Sequence, residues 1–219
     1  MNNFVVLSMP RSGSSILTNL IRSAGYDVDC RGTKPLMKPN KDFNPDGYFE
    51  RIDVVKMNDE IIDEKSKNSN FLNPPTVFNP LTNWETIKKI CQFNDLQNSY
   101  DGWVLKDARF AFTFSNFSLK NLNIILLSRN AEDVKKSMIR HYGNIFDMRS
   151  DEYVTQGPHK VYGITFEDLQ NRYSDAILKQ TEYARYKNIL KISYEQILEQ
   201  KLDVLEEFIE GKVNKALIK

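Results

Sequence analysis

Cysteine and histidine are scarce in this chain: Cys30, Cys91, His141 and His159 are all it has. Two cysteines give neither a disulfide framework nor zinc-ligand spacing, so a reducing compartment is the simpler expectation and no metal site is expected. Net charge is nearly absent as well, with 30 Lys+Arg against 29 Asp+Glu. A general nucleic-acid binder should be clearly basic, so that class is set aside. No apolar run approaches the length of about 18 residues that spans a membrane. The N-terminus enters an apolar segment without a charged leader region, which reads as no signal peptide. Together these absences point to the cytoplasm. Internal repeats and low-complexity tracts are missing too. At 219 residues the expectation is a single domain over residues 1–219, able to bury roughly 70% of its unfolded surface without staples.

What is present starts at residue 4. Phe4 to Ser8 is apolar but for its last residue and reads as a short buried strand. Met9-Pro10-Arg11-Ser12-Gly13-Ser14-Ser15 follows, small and hydroxylated, with one arginine. Ile16, Leu17, Leu20, Ile21 and Ala24 then recur at helical spacing, and Gly25 stands where a C′ glycine stops a helix. Strand, tight loop and helix bring backbone N–H groups and a positive helix end to one point, a geometry that binds phosphate. The ordinary nucleotide loop, G-x-x-x-x-G-K-[ST], fits poorly. Ser8 stands at its first glycine and Ser14 at its lysine, and only Gly13 and Ser15 match. The plainer reading is a strand–turn–helix whose arginine is simply solvated.

Further along, residues 26–50 carry Gly32, Pro35, Pro39, Pro45 and Gly47. They read as a long irregular connection, of the kind that is usually functional. Asn44-Pro45-Asp46-Gly47 is strong turn chemistry and aims Tyr48, Phe49 and Glu50. Helices are expected over Ile52–Asp63, with Val55, Ile61 and Ile62 inward, and over Trp84–Phe93, with a polar surface loop at 64–83 between them. Trp103–Lys106 is a strand candidate and Leu122–Leu127 a stronger one. Asn130 with Asp133 makes a variant capping box for a helix to Tyr142 that turns Val134, Met138 and Ile139 inward. Residues 143–172 resist assignment. A helix over Tyr173–Tyr186, a strand over Ile189–Ser193, a short helix from Tyr194 and a last helix over Leu202–Ile209 complete the chain. Strands alternating with helices give an α/β fold: a P-loop-type, mostly parallel sheet flanked by helices, with ligands at the carboxyl ends of the strands.

A second phosphate motif lies at Arg129 and Ser137, eight residues apart after an apolar strand. An arginine at a helix start and a serine about two turns on could hold one phosphate between them. A surface salt bridge and a solvated serine are the plainer alternative.

The loop P-R-S-G-S-S (residues 10–15) resembles the 5′-phosphosulfate loop of sulfotransferases that use PAPS, 3′-phosphoadenosine 5′-phosphosulfate. The Arg129/Ser137 spacing is similar to that family's 3′-phosphate site. Asn44–Glu50 resembles its N-P-x-G-[FYW]-[FW]-E segment, Trp103–Arg109 its W-x-L-K-D-P-R segment and Ile192–Leu198 its late Y-E-[DE]-L stretch. These matches span residues 4–198 and look most like the bacterial branch. Ala108 departs from the family's proline, and only Gly211-Lys212 stands near the late R-K-G-x-x-G motif of the animal enzymes. Secretory-pathway members in animals carry a membrane anchor, so the resemblance is to soluble or bacterial members.

The resemblance implies sulfuryl transfer from PAPS to the hydroxyl or amine of a small-molecule or glycan acceptor, metal-independent, releasing PAP. It implies that Arg11 neutralises the leaving phosphate oxygen and that Ser12, Gly13, Ser14 and Ser15 hold the 5′-phosphate. Arg129 and Ser137 would then hold the 3′-phosphate. Lys106 would contact the sulfuryl group or bridging oxygen; a lysine snorkelling from a strand end is its plainer reading. Neither histidine matches the family histidine, and both read as surface residues. Glu50 is the candidate general base, because Tyr48 and Phe49 could partly desolvate it, with Asp107 the competing carboxylate beside Arg109. A helix N-terminal glutamate is the plainer reading of Glu50. Tyr142, Phe146, Tyr153 and Tyr162 are candidates for an acceptor pocket or for core packing. Two other functions stay open: a nucleotide-binding kinase with an unusual P-loop, and a non-catalytic binder of PAP or phosphate.

Overall fold

The structure is a computed structural model that describes residues 1–42, 44–65, 69–75, 81–156, 159–183 and 188–218. In chain order its elements are β1 (Asn3–Ser8), α1 (Ser14–Ser23), α2 (Ile52–Lys65), α3 (Trp84–Gln97), β2 (Val104–Lys106), α4 (Phe110–Thr113), β3 (Leu122–Ser128), α5 (Ala131–Tyr142), β4 (Tyr153–Gln156), β5 (His159–Tyr162), α6 (Phe166–Tyr183), β6 (Ile189–Ser193), α7 (Tyr194–Leu198) and α8 (Asp203–Phe208). Every residue of β1 is buried. Such a strand needs pairing on both edges and cover on both faces, which parallel α/β sheets provide. β1 pairs in parallel with β2 on one side and β3 on the other, and β6 adds to β3, giving the order β2-β1-β3-β6.

Successive β1 side chains point to opposite faces. Phe4 and Val6, with Ile125 and Leu127 of β3, meet Leu17, Leu20 and Ile21 of α1 and the apolar residues of α7 and α8. Val5 and Leu7 meet α2, α3 and α4 on the other face. Burying each such aliphatic side chain stabilises the fold by about 1.5–3 kcal/mol. A third cluster joins α4, α5 and α6 around Phe112, Met138 and Tyr173. All four strands point their carboxyl ends the same way, so the segments after Ser8, Lys106 and Ser128 meet at one end of the sheet.

Several expectations need correction. Val54 and Met57, not Val55, are the buried face of α2 with Ile61 and Ile62, because the stripe begins one residue earlier. The 64–83 stretch is not all surface: Glu64 and Lys65 end α2, and Leu72 is fully buried; residues 66–68 and 76–80 of this stretch lie outside the described residues. Residues 143–172 contain an antiparallel hairpin, β4–β5, and the first two turns of α6. That helix starts at Phe166 because Phe166, Leu169 and Tyr173 form its inward stripe; residues 184–186 of the expected helix lie outside the described residues. α8 ends at Phe208, after which the chain turns back over α1. Asn130 caps α5 by accepting from the N–H groups of Glu132 and Asp133, but its own N–H donates to Glu195 Oε1 at 2.9 Å, not to Asp133. No helix among the described residues is long and apolar enough to cross a membrane.

Candidate active site

The loop after β1 is built by two left-handed residues, Arg11 (φ 67°) and Gly13 (φ 89°), which turn the chain sharply into α1. The N–H groups of Ile16 and Leu17 donate back to the Gly13 carbonyl. Those of Ser14 and Ser15 find no protein acceptor among the described residues. The first turn of a helix presents such groups together with its positive dipole end. Ser12 and Ser14 are buried and Ser15 half-buried.

Two strand ends and one helix deliver the other candidates to this loop. From β3, Arg129 reaches across so that Nη1 donates to the Arg11 carbonyl at 3.0 Å. From α5, Ser137 accepts a bond from Arg11 Nε at 3.1 Å. Arg11 therefore sits between Arg129 and Ser137, which the spacing alone had paired directly. Neither Arg11 nor Arg129 has a carboxylate partner among the described residues. Arg129 Nε is buried with no acceptor among them.

From β2, Lys106 is enclosed, and its Nζ donates to Ser15 Oγ at 3.2 Å, the Tyr48 carbonyl at 2.9 Å and Glu50 Oε1 at 2.6 Å. It does not snorkel to solvent. Ser15 Oγ also donates to the Tyr48 carbonyl and accepts from Asn44 Nδ2. The Asn44–Glu50 segment is thus tied to the loop through one hydroxyl and one ammonium. Its turn closes as expected, with the Gly47 N–H on the Asn44 carbonyl. Phe49 packs into the α1 core, beneath the Arg22 guanidinium.

Asp107 is fully enclosed. It accepts from the Arg109 N–H and Nη1 and from Asn58 Nδ2, and Arg109 Nε also donates to Asp59 Oδ1 at 2.6 Å. Burial works against the Arg109 charge, but Asp107, Asp59 and Glu50 outweigh it and hold its pKa up. Asp107 and Arg109 form an ion pair at 3.0 Å, as their closeness in sequence suggested.

Beside Arg11 stand three titratable rings. Burial, and next the Arg11 charge, press the His141 pKa down to about 4. His141 is therefore a half-buried neutral imidazole rather than a surface residue; its position one turn of α5 beyond Ser137, on the same face, puts it there. Burial raises Tyr48 and Tyr142, with Glu50 adding to the rise and Arg11 opposing it. His159 lies on β5, away in the hairpin. Of the other aromatic candidates, Phe146 packs on Phe166 in the core, and Tyr153 pairs with Tyr162 on the hairpin. Gly211 rests on Ala24 at the far end of α1, and Lys212 pairs with Glu206. The ten residues of α1 separate that corner from the loop, so Gly211-Lys212 does not close over it.

Sequence reasoning missed Asn58, Asp59 and the Asn44 side chain as supports of the site. Asn44 was legible as turn chemistry, whereas nothing in the helical pattern of α2 marks Asn58 and Asp59. No group of three or more His, Cys, Asp or Glu residues among the described ones could hold a metal ion.

A family model described as a sulfotransferase domain matches residues 2–216. No curated protein matches the chain. Among solved structures, a sulfotransferase domain from the curacin biosynthetic pathway is similar at 15% identity and TM-score 0.49, covering 98% of this chain and 75% of that one. A retinol dehydratase in complex with androsterone and inactive cofactor PAP is similar at 14% identity and TM-score 0.41, covering 99% of this chain and 62% of that one.

Proposed function

The chain belongs to the sulfotransferase domain family, and on that premise we propose that it moves a sulfuryl group from PAPS to a hydroxyl or amine acceptor without a metal, releasing PAP. The observation that carries this reading is the convergence of Arg11 and Arg129 on one loop, with no ion-pair partner for either among the described residues. Two such cations, one with a buried donor that has no acceptor among the described residues, fit a ligand with two phosphate groups. The free first-turn N–H groups of Ser14 and Ser15 suit the 5′-phosphate, with Ser12 and Gly13 shaping the loop. Arg129 and Ser137 suit the 3′-phosphate.

In the transfer, the acceptor oxygen or nitrogen attacks sulfur in line, and the bond from sulfur to the 5′-phosphate oxygen breaks. The transition state is loose, as in phosphoryl transfer, and charge gathers on the leaving oxygen. Arg11 is the loop cation that would meet that charge. The acceptor proton goes to Glu50, whose carboxylate has 13% of its side chain exposed while Asp107 has none. A base must reach the proton it takes, which favours Glu50. Lys106 holds Glu50 at 2.6 Å, and turning an N–H toward the bridging oxygen requires it to release one of its three acceptors, of which Ser15 Oγ at 3.2 Å is the longest. The acceptor is a small molecule or a glycan, with Tyr48 and Tyr142 near its entry.

The test is transfer of labelled sulfate from PAPS to a panel of phenols, amines and glycans in the presence of chelator, with PAP release followed in parallel. Labelled product together with stoichiometric PAP supports the proposal. PAP binding without transfer to any acceptor class would leave a binding protein, and magnesium-dependent turnover of ATP would make it a kinase.

A further inference from the structure

We propose that Tyr194 and Glu195 form the positioning pair that fixes Arg129 over the phosphate-binding loop. This rests on the reading of Arg129 as a nucleotide ligand only where nucleotide affinity is the readout. The two residues open α7, directly after β6. Their placement is set by a capping box in which Ser193 Oγ accepts from the Gln196 N–H and the Gln196 side chain accepts from the Ser193 N–H.

Tyr194 meets the loop and the arginine at once. Its ring lies so close to Gly13 that a Cβ there would stand 2.2 Å from Cδ2 and 2.5 Å from Cε2. Carbon atoms in contact sit about 3.5–4.0 Å apart, so only glycine leaves room for this ring. The Arg129 guanidinium lies 4.3 Å from the same ring's centroid, well inside the range of about 6 Å over which a cation is attracted to a π face. Glu195 holds the next residue, accepting the Asn130 N–H at 2.9 Å. Arg129 is thereby gripped at its guanidinium by Tyr194 and the Arg11 carbonyl, and at its following peptide by Glu195.

The chemistry of this grip matters. A carboxylate placed directly on the guanidinium would fix it and cancel its charge. A ring face and a carbonyl orient the cation while leaving the charge for an anionic ligand, and Glu195 spends its carboxylate on a backbone N–H instead. Preorganised charge of this kind needs no rearrangement when the ligand arrives. The pair therefore acts through Arg129 and need not touch the reacting atoms.

The experiment uses the full chain with Tyr194→Phe, Tyr194→Leu and Glu195→Ala. One readout needs no nucleotide: the rate at which phenylglyoxal modifies Arg129, followed by peptide mass spectrometry. The other is the ratio of dissociation constants for adenosine 5′-monophosphate and PAP. Tyr194→Leu is expected to raise the Arg129 modification rate severalfold and to reduce the preference for PAP by about tenfold, the size of a partly desolvated cation–π contact. Tyr194→Phe keeps the ring and should match the wild type in both. Glu195→Ala should move both readouts in the same direction by a smaller factor. Wild-type reactivity at Arg129 in Tyr194→Leu, or equal damage from Tyr194→Phe, would overturn the proposal. Should Tyr194→Leu not fold, wild-type values for Glu195→Ala would overturn it alone. A wild type without preference for PAP would instead remove the nucleotide reading of Arg129, while the modification rates still decide the positioning role.

Discussion

Arg11 Nε donates to Ser137 Oγ at 3.1 Å across 126 residues of sequence, joining the loop after β1 to the second turn of α5. The bond holds the cation of one phosphate motif against the hydroxyl of the other. Residues bonded in this way act as a unit and their losses do not add. A double-mutant cycle with Arg11→Ala and Ser137→Ala, read as PAP affinity, should show a coupling of about 0.5–3 kcal/mol. Strict additivity would show that the bond plays no part in binding.

Arg11→Ala should lower turnover more than PAP affinity. Its charge is needed most when the leaving oxygen becomes negative, so the loss belongs to the transition state. Normal turnover with poorer binding alone would make Arg11 a ground-state positioning residue.

Arg129→Ala should weaken PAP far more than adenosine 5′-phosphosulfate, which lacks the 3′-phosphate. A lost charge-assisted bond accounts for roughly 1.5–3 kcal/mol. Calorimetry with both ligands checks this, and equal weakening would remove the 3′-phosphate assignment.

Glu50→Gln should preserve PAP binding and lower transfer by roughly 10²–10⁴-fold, the usual contribution of a general base. Asp107→Asn should instead reduce stability, because it leaves Arg109 and Asn58 facing a neutral amide in a closed site. Near-normal transfer by Glu50→Gln, with the loss appearing in Asp107→Asn, would move the base to Asp107.

His141 provides a pH test of the site's packing. Its folded pKa lies near 4, below the ordinary value of 6.5. The unfolded chain therefore takes up a proton that the folded one refuses, and stability present above pH 6.5 is lost as pH falls toward 4. The expected loss is on the order of 1–3 kcal/mol. His141→Gln should destabilise less than the wild type between pH 7 and pH 5 in denaturant melts, and an identical pH dependence would contradict the burial of this imidazole.

The sequence read well where burial is complete and local. β1 and β3 are continuous apolar runs, and α1 ends at Ala24 and Gly25 as its glycine indicates. The loop, Arg129 and Glu50 were legible because each follows a strand or a strong turn, Lys106 because it ends a strand, and Ser137 only through its eight-residue spacing from Arg129. Their mutual bonds were not, since Arg11–Ser137 and Lys106–Tyr48 join segments 126 and 58 residues apart. The hairpin β4–β5 was hidden because its strands are four residues each and largely exposed, so no alternating pattern builds up. The Asn130–Glu195 bond shows the same limit: the local partner Asp133 was correct chemistry, and a residue 65 positions away was better placed.

On this reading Arg11 and Arg129, which form no ion pair among the described residues, make the loop a metal-free site for a nucleotide with both 3′- and 5′-phosphates. Isothermal titration of the protein with PAP in chelator, beside ATP and GTP with and without magnesium, tests it most directly. The expected result is PAP binding that chelator leaves unchanged and that exceeds binding of either triphosphate. Tighter binding of ATP with magnesium, and loss of PAP binding in chelator, would contradict it.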